Sequence, residues 1–261
     1  GDVFLAENAS IYAIRGADIT KIASYPLSVP GTVYLTGRQS GGNTYLYVLV
    51  AQDGRSDIYG SDGTAGNWTY RGFVAEQPFM TNSFECGMDF NRLFLGGVNC
   101  HWSSDGGASW TITSDWTEYY GNPTARLHAD ICGINAVKSG LNAEIVLLST
   151  DGGMYWSTDG AVSVNNISLL DLNVSQYYSI YTNRSDPGKI YAGSQDQGYQ
   201  FGEDALIPIP GDFGQLISGD YGHLTSSDQG RSIWSVYPGF AMYAEDDRIL
   251  GYTDFVCSNQ L

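Results

Sequence analysis

Four aspartates in this chain stand in short, glycine-bearing polar segments whose residue types could do chemistry. One histidine and one glutamine accompany them, and the full set is His128, Asp130, Asp151, Gln195, Asp196 and Asp220. Gathered carboxylates could bind a cation such as Ca²⁺ through oxygen ligands, or act as acid and base on a glycosidic bond. The chemistry depends on whether the fold brings these segments together.

The segments around these residues are predicted to be short β-strands, because runs rich in Tyr, Val, Ile and Phe alternate with Gly/Asn/Asp/Ser turns. These features divide the chain near residues 1–30, 31–80, 81–124, 125–172, 173–212 and 213–261. A period of roughly 40–45 residues with four short strands indicates a propeller blade. We therefore predict an all-β protein, a β-propeller of about six four-stranded blades or a large part of a seven- or eight-bladed one. Residues 1–261 would form one propeller domain or a propeller segment of a larger protein.

The octet SSDGGASW (103–110) marks the turn between the third and fourth predicted strands of its repeat. In such a turn the Asp105 side chain can accept backbone N–H bonds, and Gly107 can supply a positive φ. Trp110 is expected to be buried between neighbouring strands, and Ser103 completes the pattern. The octet is therefore predicted to be structural.

Related sequences recur along the chain. STDGAVSV (157–164) keeps Ser157 and Asp159, and SDGTAGNW (61–68) keeps the turn with altered spacing. SSDQGRSIW (226–234) fits only with a one-residue slip, and STDGGMYW (149–156) is expected to span a loop between the second and third strands instead.

The alternation of strand direction in a four-stranded blade separates its turns into two groups. The third-to-fourth turn, which holds the octet, shares an end with the first-to-second turn. Asp151, Gln195 and Asp196 fall in second-to-third turns, whereas His128, Asp130 and Asp220 precede first strands. All six are therefore predicted to meet at one mouth of the propeller, where a polysaccharide or protein ligand would bind. The alternative is that the Asp-Gly pairs are only tight turns and that His128 caps a strand end.

The recurring S-x-D-x-G-x-x-W pattern resembles the Asp-box (BNR) repeat of sialidase-like, sortilin-like and xyloglucanase-like propellers. HADICGINAV (128–137), GSQDQG (193–198) and ISGDYG (217–222) are similar to segments of secreted BNR-repeat proteins common in Bacteroidetes. Cys132 stands where that pattern has a second histidine, and QDQG replaces QDNG. The resemblance implies the propeller fold and a secreted or cell-surface location, but the activities of its members vary.

Two functions remain open. The first is a non-catalytic binding or scaffolding propeller, joined to further domains of the same parent chain. The second is a xyloglucanase-like glycoside hydrolase that uses two of Asp130, Asp151, Asp196 and Asp220. A metal site of His128, Asp130 and Cys132 is a further alternative, because alternate residues of a strand point to the same side. A sialidase is disfavoured, because the chain lacks that family's F/Y-R-I/L-P motif and its arginines are scattered.

Composition restricts the partners. Only 12 Lys and Arg stand against 28 Asp and Glu, a formal net charge of -16, which repels nucleic acid. No apolar run approaches the roughly 20 residues of a membrane span. The four cysteines show no CxxC spacing, so zinc is not expected, and their pairing cannot be assigned. We predict no cofactor, with a bound Ca²⁺ ion as the alternative.

Overall fold

The computed structural model describes residues 3–7, 10–24, 31–61, 68–140, 143–168, 177–183, 186–195, 198–202, 214–217, 220, 222–226, 228–230, 232–235, 240–244 and 253–255. Asp196, Cys257 and residues 62–67 of the 61–68 turn lie outside these residues. The chain divides into two compact units, Gly1–Leu172 and Asn173–Leu261. A single domain over residues 1–261 stays a prediction.

The first unit holds four antiparallel sheets, each formed by strands that follow one another in the chain. The first sheet has three strands, β1 (Val3–Glu7), β2 (Ser10–Arg15) and β3 (Asp18–Ser24). The second has four, β4 (Thr32–Ser40), β5 (Asn43–Gln52), β6 (Arg55–Ser61) and β7 (Trp68–Val74). The third comprises β8 (Phe84–Cys86), β9 (Leu93–Gly96), β10 (Cys100–Ser103) and β11 (Thr111–Ile112). The fourth comprises β12 (Ile131–Lys138), β13 (Glu144–Thr150), β14 (Gly153–Ser157) and β15 (Asn165–Asn166).

The second unit holds two further four-stranded antiparallel sheets. The fifth sheet comprises β16 (Tyr177–Thr182), β17 (Ile190–Ser194), β18 (Gly198–Gly202) and β19 (Gly214–Ile217). The sixth comprises β20 (Leu224–Thr225), β21 (Ser232–Ser235), β22 (Phe240–Ala244) and β23 (Thr253–Phe255). The predicted all-β class with four-stranded antiparallel sheets is confirmed. Five of the sheets fall inside one predicted segment each, but the fifth sheet extends to Ile217, so the predicted boundary near residue 212 is wrong.

Strands form here because apolar and polar residues alternate along short runs that glycine-containing turns interrupt. The helical structure among the described residues is one short 3₁₀ turn, Trp116–Gly121. Asp115 caps this turn by accepting a hydrogen bond from the Thr117 amide, while the Glu118 carboxylate accepts one from the Asp115 amide. No helix in the described part of the chain is long and apolar enough to span a membrane.

Neighbouring sheets of the first unit bury apolar side chains against one another. Ile11 of the first sheet packs with Val48 of the second, and Ile58 of the second packs with Leu93 of the third. Phe94 and Leu148 join the third and fourth sheets in the same way. The second sheet contributes to a core on each of its faces, so both sides of β5 are nearly continuously buried.

The first strands of the second, third and fourth sheets lie side by side. Arg38 of β4 donates hydrogen bonds to the Cys86 carbonyl at 2.6 Å and to the Ala136 carbonyl of β12 at 3.4 Å. The Cys86 amide in turn donates to Thr36 Oγ1 at 3.0 Å. Cys86 and Cys100 are buried and Cys132 is half-buried, and all three described cysteines are free thiols.

Candidate functional site

The predicted turn at residues 103–109, which we call the first Ser-Asp turn, is closed by hydrogen bonds from its own side chains. Ser103 Oγ donates to Asp105 Oδ1 at 2.8 Å and accepts from the Gly107 amide at 2.9 Å. The Ser109 amide and hydroxyl both donate to the Asp105 carboxylate, at 2.9 and 2.6 Å. Partial burial alone would raise the pKa of Asp105, but these hydrogen bonds together lower it. The carboxylate is therefore used by the turn itself.

Glycine and tryptophan serve the same turn. Gly106 and Gly107 have φ of 71° and 90°, and a Cβ on Gly107 would lie 2.9 Å from Ile58 Cγ2. Trp110 donates from its indole nitrogen to the Gly107 carbonyl at 3.1 Å and packs against the core between the second and third sheets. Trp110 is half-buried, so its expected full burial is wrong. It closes the edge of the core, and one side of its ring stays in contact with solvent.

A second Ser-Asp turn, residues 157–163, lies between β14 and β15 and repeats these bonds. Ser157 Oγ donates to Asp159 Oδ1 at 2.8 Å, and Ser163 donates from its amide and hydroxyl to the Asp159 carboxylate. Ala161 adopts φ of 65° where the first turn has glycine. The same geometry thus forms without a glycine at that position.

A third Ser-Asp turn, residues 226–230, forms in the second unit. Ser226 Oγ donates to Asp228 Oδ1 at 2.9 Å and accepts from the Gly230 amide at 2.8 Å. Serine, aspartate and glycine keep the spacing of the first turn, so the one-residue slip affects only the position of Trp234. This turn joins β20 to β21, the first and second strands of its sheet, which differs from the other two turns.

The first two Ser-Asp turns also contact the sheet that precedes their own. A Cβ on Gly72 of β7 would lie 2.8 Å from the Gly107 carbonyl, and Thr113 Oγ1 donates to the Ala161 carbonyl at 2.8 Å. These contacts attach each turn to the outer strand of the neighbouring sheet, which is a structural role.

The other end of the fourth sheet carries Asp130, Cys132 and Asp151, and we call it the Asp151 end. Asp151 lies in the turn between β13 and β14, and Cys132 is the second residue of β12. The Cys132 thiol donates to Asp151 Oδ1 at 3.2 Å. Burial, this hydrogen bond and the charges of Asp151 and Asp130 raise the pKa of Cys132 to about 12. The thiol therefore stays protonated at neutral pH, which makes it a poor nucleophile.

Asp130 adopts a left-handed backbone conformation, with φ of 61°. Its amide donates to the Val98 carbonyl at 3.2 Å, and the Ile131 amide donates to the Gly97 carbonyl at 2.9 Å. Residues 128, 130 and 132 were expected to alternate along one strand, but β12 begins only at Ile131 and has a register shift between Ile131 and Gly133. The strand alternation behind the three-residue metal site is therefore wrong.

His128 is only 5% exposed and packs inside the sheet end. Its amide donates to the Tyr155 hydroxyl at 3.2 Å, and its ring meets Tyr119 edge to face with centroids 4.8 Å apart. Gly152 leaves room for this ring, because a Cβ there would collide with it. No three His, Cys, Asp or Glu side chains within the described ranges come together to hold a metal ion.

The sequence-predicted residues of the second unit lie at the matching ends of their own sheets. Gln195 is half-buried in the turn between β17 and β18, and Asp220 is half-buried just before β20. Tyr177, at the start of β16, is 40% exposed and donates from its hydroxyl to Gln200 Oε1 at 3.0 Å. Whether Gln195, Asp196 and Asp220 join Asp130 and Asp151 in one site stays a prediction.

The sequence analysis missed an aromatic surface close to the Asp151 end. Trp116, Tyr119 and Tyr120, which we call the aromatic shelf, belong to the 3₁₀ turn. The Trp116 amide donates to Asn99 Oδ1 at 2.8 Å, which ties the turn to the loop between β9 and β10. The signal in the sequence was the aromatic-rich run WTEYYG among otherwise polar residues.

Comparisons with known proteins give similarity at the level of solved structures. No protein-family model matches the chain, and no curated protein matches it. A Niastella koreensis GH74 enzyme is 16% identical with a TM-score of 0.44, over 97% of this chain and 43% of that chain. The GH74 xyloglucanase from Xanthomonas campestris is 15% identical with a TM-score of 0.36, over 86% of this chain and 38% of that chain. A periplasmic gluconolactonase from Pseudomonas aeruginosa is 15% identical with a TM-score of 0.33, over 94% of this chain and 77% of that chain. The chain thus spans less than half the length of the two GH74 chains.

Proposed function

We propose that this chain is a propeller segment of a secreted or cell-surface protein and that it binds a ligand without catalysis. The described residues form six antiparallel sheets, each made of strands that follow one another in the chain, and this supports a propeller of about six blades. In this proposal the Ser-Asp turns are Asp boxes, and they fasten neighbouring blades to one another.

The main support for a binding role is that two carboxylates lie close together at the Asp151 end. Asp130 and Asp151 both lie near enough to the Cys132 thiol to raise its pKa, and both are half-buried. Asp159, at the opposite end of the same sheet, is held by Ser157 and Ser163 within its own turn. A few polar groups beside aromatic rings are the usual lining of a ligand site. Gln195, Asp196 and Asp220 would extend this site from the second unit, and the ligand would be a polysaccharide or a protein.

The test compares one aspartate from each end of the fourth sheet. Binding of the purified chain to a panel of immobilised polysaccharides and proteins is measured for the wild type, Asp151→Asn and Asp159→Asn. We expect Asp151→Asn to lose binding, while the folded fraction of Asp159→Asn retains it. Retention by Asp151→Asn, or equal loss in both variants, contradicts a site at the Asp151 end.

The same pair of carboxylates supports a second candidate, a glycoside hydrolase. The charges of Asp130 and Asp151 both raise the pKa of the Cys132 thiol, so the two carboxylates lie near each other. Most glycosidases use a pair of carboxyl groups for catalysis. Asp196 and Asp220 are the alternative partners of Asp130. Release of reducing sugar from xyloglucan and other β-glucans, abolished by Asp130→Asn with an unchanged melting temperature, would replace the binding proposal by this one.

A further inference from the structure

The aromatic shelf exposes ring surface that no described part of the chain covers. Trp116 is 37% exposed and Tyr120 is 62% exposed. Their centroids are 6.2 Å apart with the rings at 74°, and Tyr119 meets Tyr120 at 5.6 Å and 75°. The edge-to-face arrangement and the capped 3₁₀ turn hold the rings in place, so the surface is formed before a ligand arrives.

The shelf lies beside the proposed binding end of the first unit. Tyr119 packs against His128, and the Asn99 side chain that accepts from the Trp116 amide follows Val98, whose carbonyl accepts from the Asp130 amide. Val98 is itself 40% exposed. A partner that contacts the Asp151 end would therefore meet these rings as well.

A different surface of the chain shows what such rings can bind. On the second sheet, the Arg55 guanidinium lies 4.0 Å over the Phe73 ring and pairs with Asp57 Oδ1 at 2.6 Å. Tyr70 adds its hydroxyl to the same carboxylate oxygen at 3.1 Å. Aromatic rings and a carboxylate thus surround a guanidinium that the chain itself supplies. We call these four residues the Arg55 cluster.

The aromatic shelf combines rings and carboxylates in a similar way. Asp115 and Glu118 lie on the same 3₁₀ turn as the rings, and both are exposed. Arg126 is bound to Glu118 at 2.9 Å. Within the described ranges, no Arg or Lys lies over the ring of Trp116 or Tyr120.

We propose that the aromatic shelf receives arginine or lysine side chains from a basic segment of another protein. The choice of occupant follows from charge, because the chain carries a formal net charge of -16 and attracts basic partners while it repels acidic ones. A guanidinium over Trp116 or Tyr120 gains the attraction of the ring face, and the exposed Asp115, next to Trp116 in the chain, adds negative charge. The inference rests on the proposed function, since it specifies a protein as the partner of the binding end.

The experiment uses a probe that removes the charge and keeps nearly the same shape. Binding of the whole chain to a peptide of alternating glycine and arginine is measured by calorimetry, alongside the same peptide with citrulline in place of arginine. Citrulline is neutral, and a carbonyl oxygen replaces one NH₂ group of the guanidinium. We expect binding of the arginine peptide alone, weakened by added salt.

The variants locate the contact. Trp116→Ala and Tyr120→Ala should each weaken binding of the arginine peptide roughly 3- to 30-fold, as expected for the loss of one cation–π contact. Trp156→Ala is the matched control, because Trp156 is 39% exposed and lies on β14 away from the shelf. We expect its affinity to equal that of the wild type, and circular dichroism checks that all variants fold.

Several results would overturn the inference. Equal binding of the citrulline peptide, or equal weakening by Trp156→Ala, would show that the shelf does not select a cation. Binding of cellohexaose in place of the arginine peptide, lost in Tyr120→Ala, would make the shelf a sugar platform. Any of these results would leave the proposed binding end intact if Asp151→Asn still abolished ligand binding, so the two proposals fail separately.

Discussion

At one end of the fourth sheet the Asp159 carboxylate is held by Ser157 and Ser163, whereas at the other end Asp151 accepts a hydrogen bond from the Cys132 thiol. The hydrogen bonds of the turn outweigh partial burial and lower the pKa of Asp159. At the Asp151 end, burial and two nearby carboxylates raise the pKa of Cys132. An aspartate therefore closes a turn at one end of the sheet, whereas at the other end an aspartate places its negative charge next to a half-buried thiol. Two aspartates with similar Asp-Gly neighbours in the sequence can have different roles, and the partners of each carboxylate distinguish them.

The largest effect is expected at the Ser-Asp end of the third sheet. Trp110→Ala removes a half-buried indole and its hydrogen bond to Gly107, so the free energy of unfolding should fall by roughly 2–4 kcal/mol, somewhat less than for a fully buried tryptophan. Urea denaturation measures this change. Trp156→Ala is the control, because a larger fraction of the Trp156 side chain is exposed. An equal fall in the free energy of unfolding for both variants would show that Trp110 has no special structural role.

The comparison between the two ends is tested next by Asp159→Ala and Asp151→Ala. Asp159→Ala should lower the free energy of unfolding by about 1–3 kcal/mol, because three hydrogen bonds of the turn lose their acceptor. Asp151→Ala should lower it by less, because the thiol that donates to Asp151 is a weaker donor than the amide and hydroxyls that donate to Asp159. If Asp151→Ala proved the more destabilising of the two, Asp151 would be a structural residue and the contrast would disappear.

A smaller effect concerns the reactivity of Cys132. With its pKa raised to about 12, the thiol should react only slowly with iodoacetamide at pH 8. Asp151→Asn removes one negative charge and the charged acceptor, which lowers the pKa and should speed alkylation severalfold, since each pKa unit changes the thiolate fraction about tenfold. Mass spectrometry of the peptide that contains Cys132 measures the rate. An unchanged rate would mean that burial alone controls the thiol.

The smallest effect is expected from calcium. Ca²⁺ takes about six to eight oxygen ligands, more than Asp130 and Asp151 supply by themselves, so its addition should change the melting temperature little. A clear rise that Asp196→Asn abolished would show instead that Asp196, which lies outside the described residues, completes a cation site with its neighbours.

Particular residues show which features of the fold could be predicted from the sequence. The repeat of strand-like runs located five of the six sheets and the first three strands of the fifth sheet. The residues of 103–110 and 157–164 located two Ser-Asp turns, because both features depend on local alternation and turn chemistry. The sequence failed at Asp130, where strand alternation was extended beyond the first residue of β12. It also failed at Trp110, because the exposure of a ring depends on how a neighbouring sheet covers it.

The sequence by itself determined three features: the alternation of strand-forming runs with turn residues, the acidic net charge, and the side chains present at each turn. These are properties of nearest neighbours along the chain, and they act before any sheet packs against another. The tertiary structure alone decided that Cys132 donates to Asp151, that His128 lies buried against Tyr119 and Gly152, and that the aromatic shelf lies next to Val98 and Asp130. Each of these contacts joins residues from different strands or loops, and their distances are set by the packing of whole sheets, which no local pattern encodes.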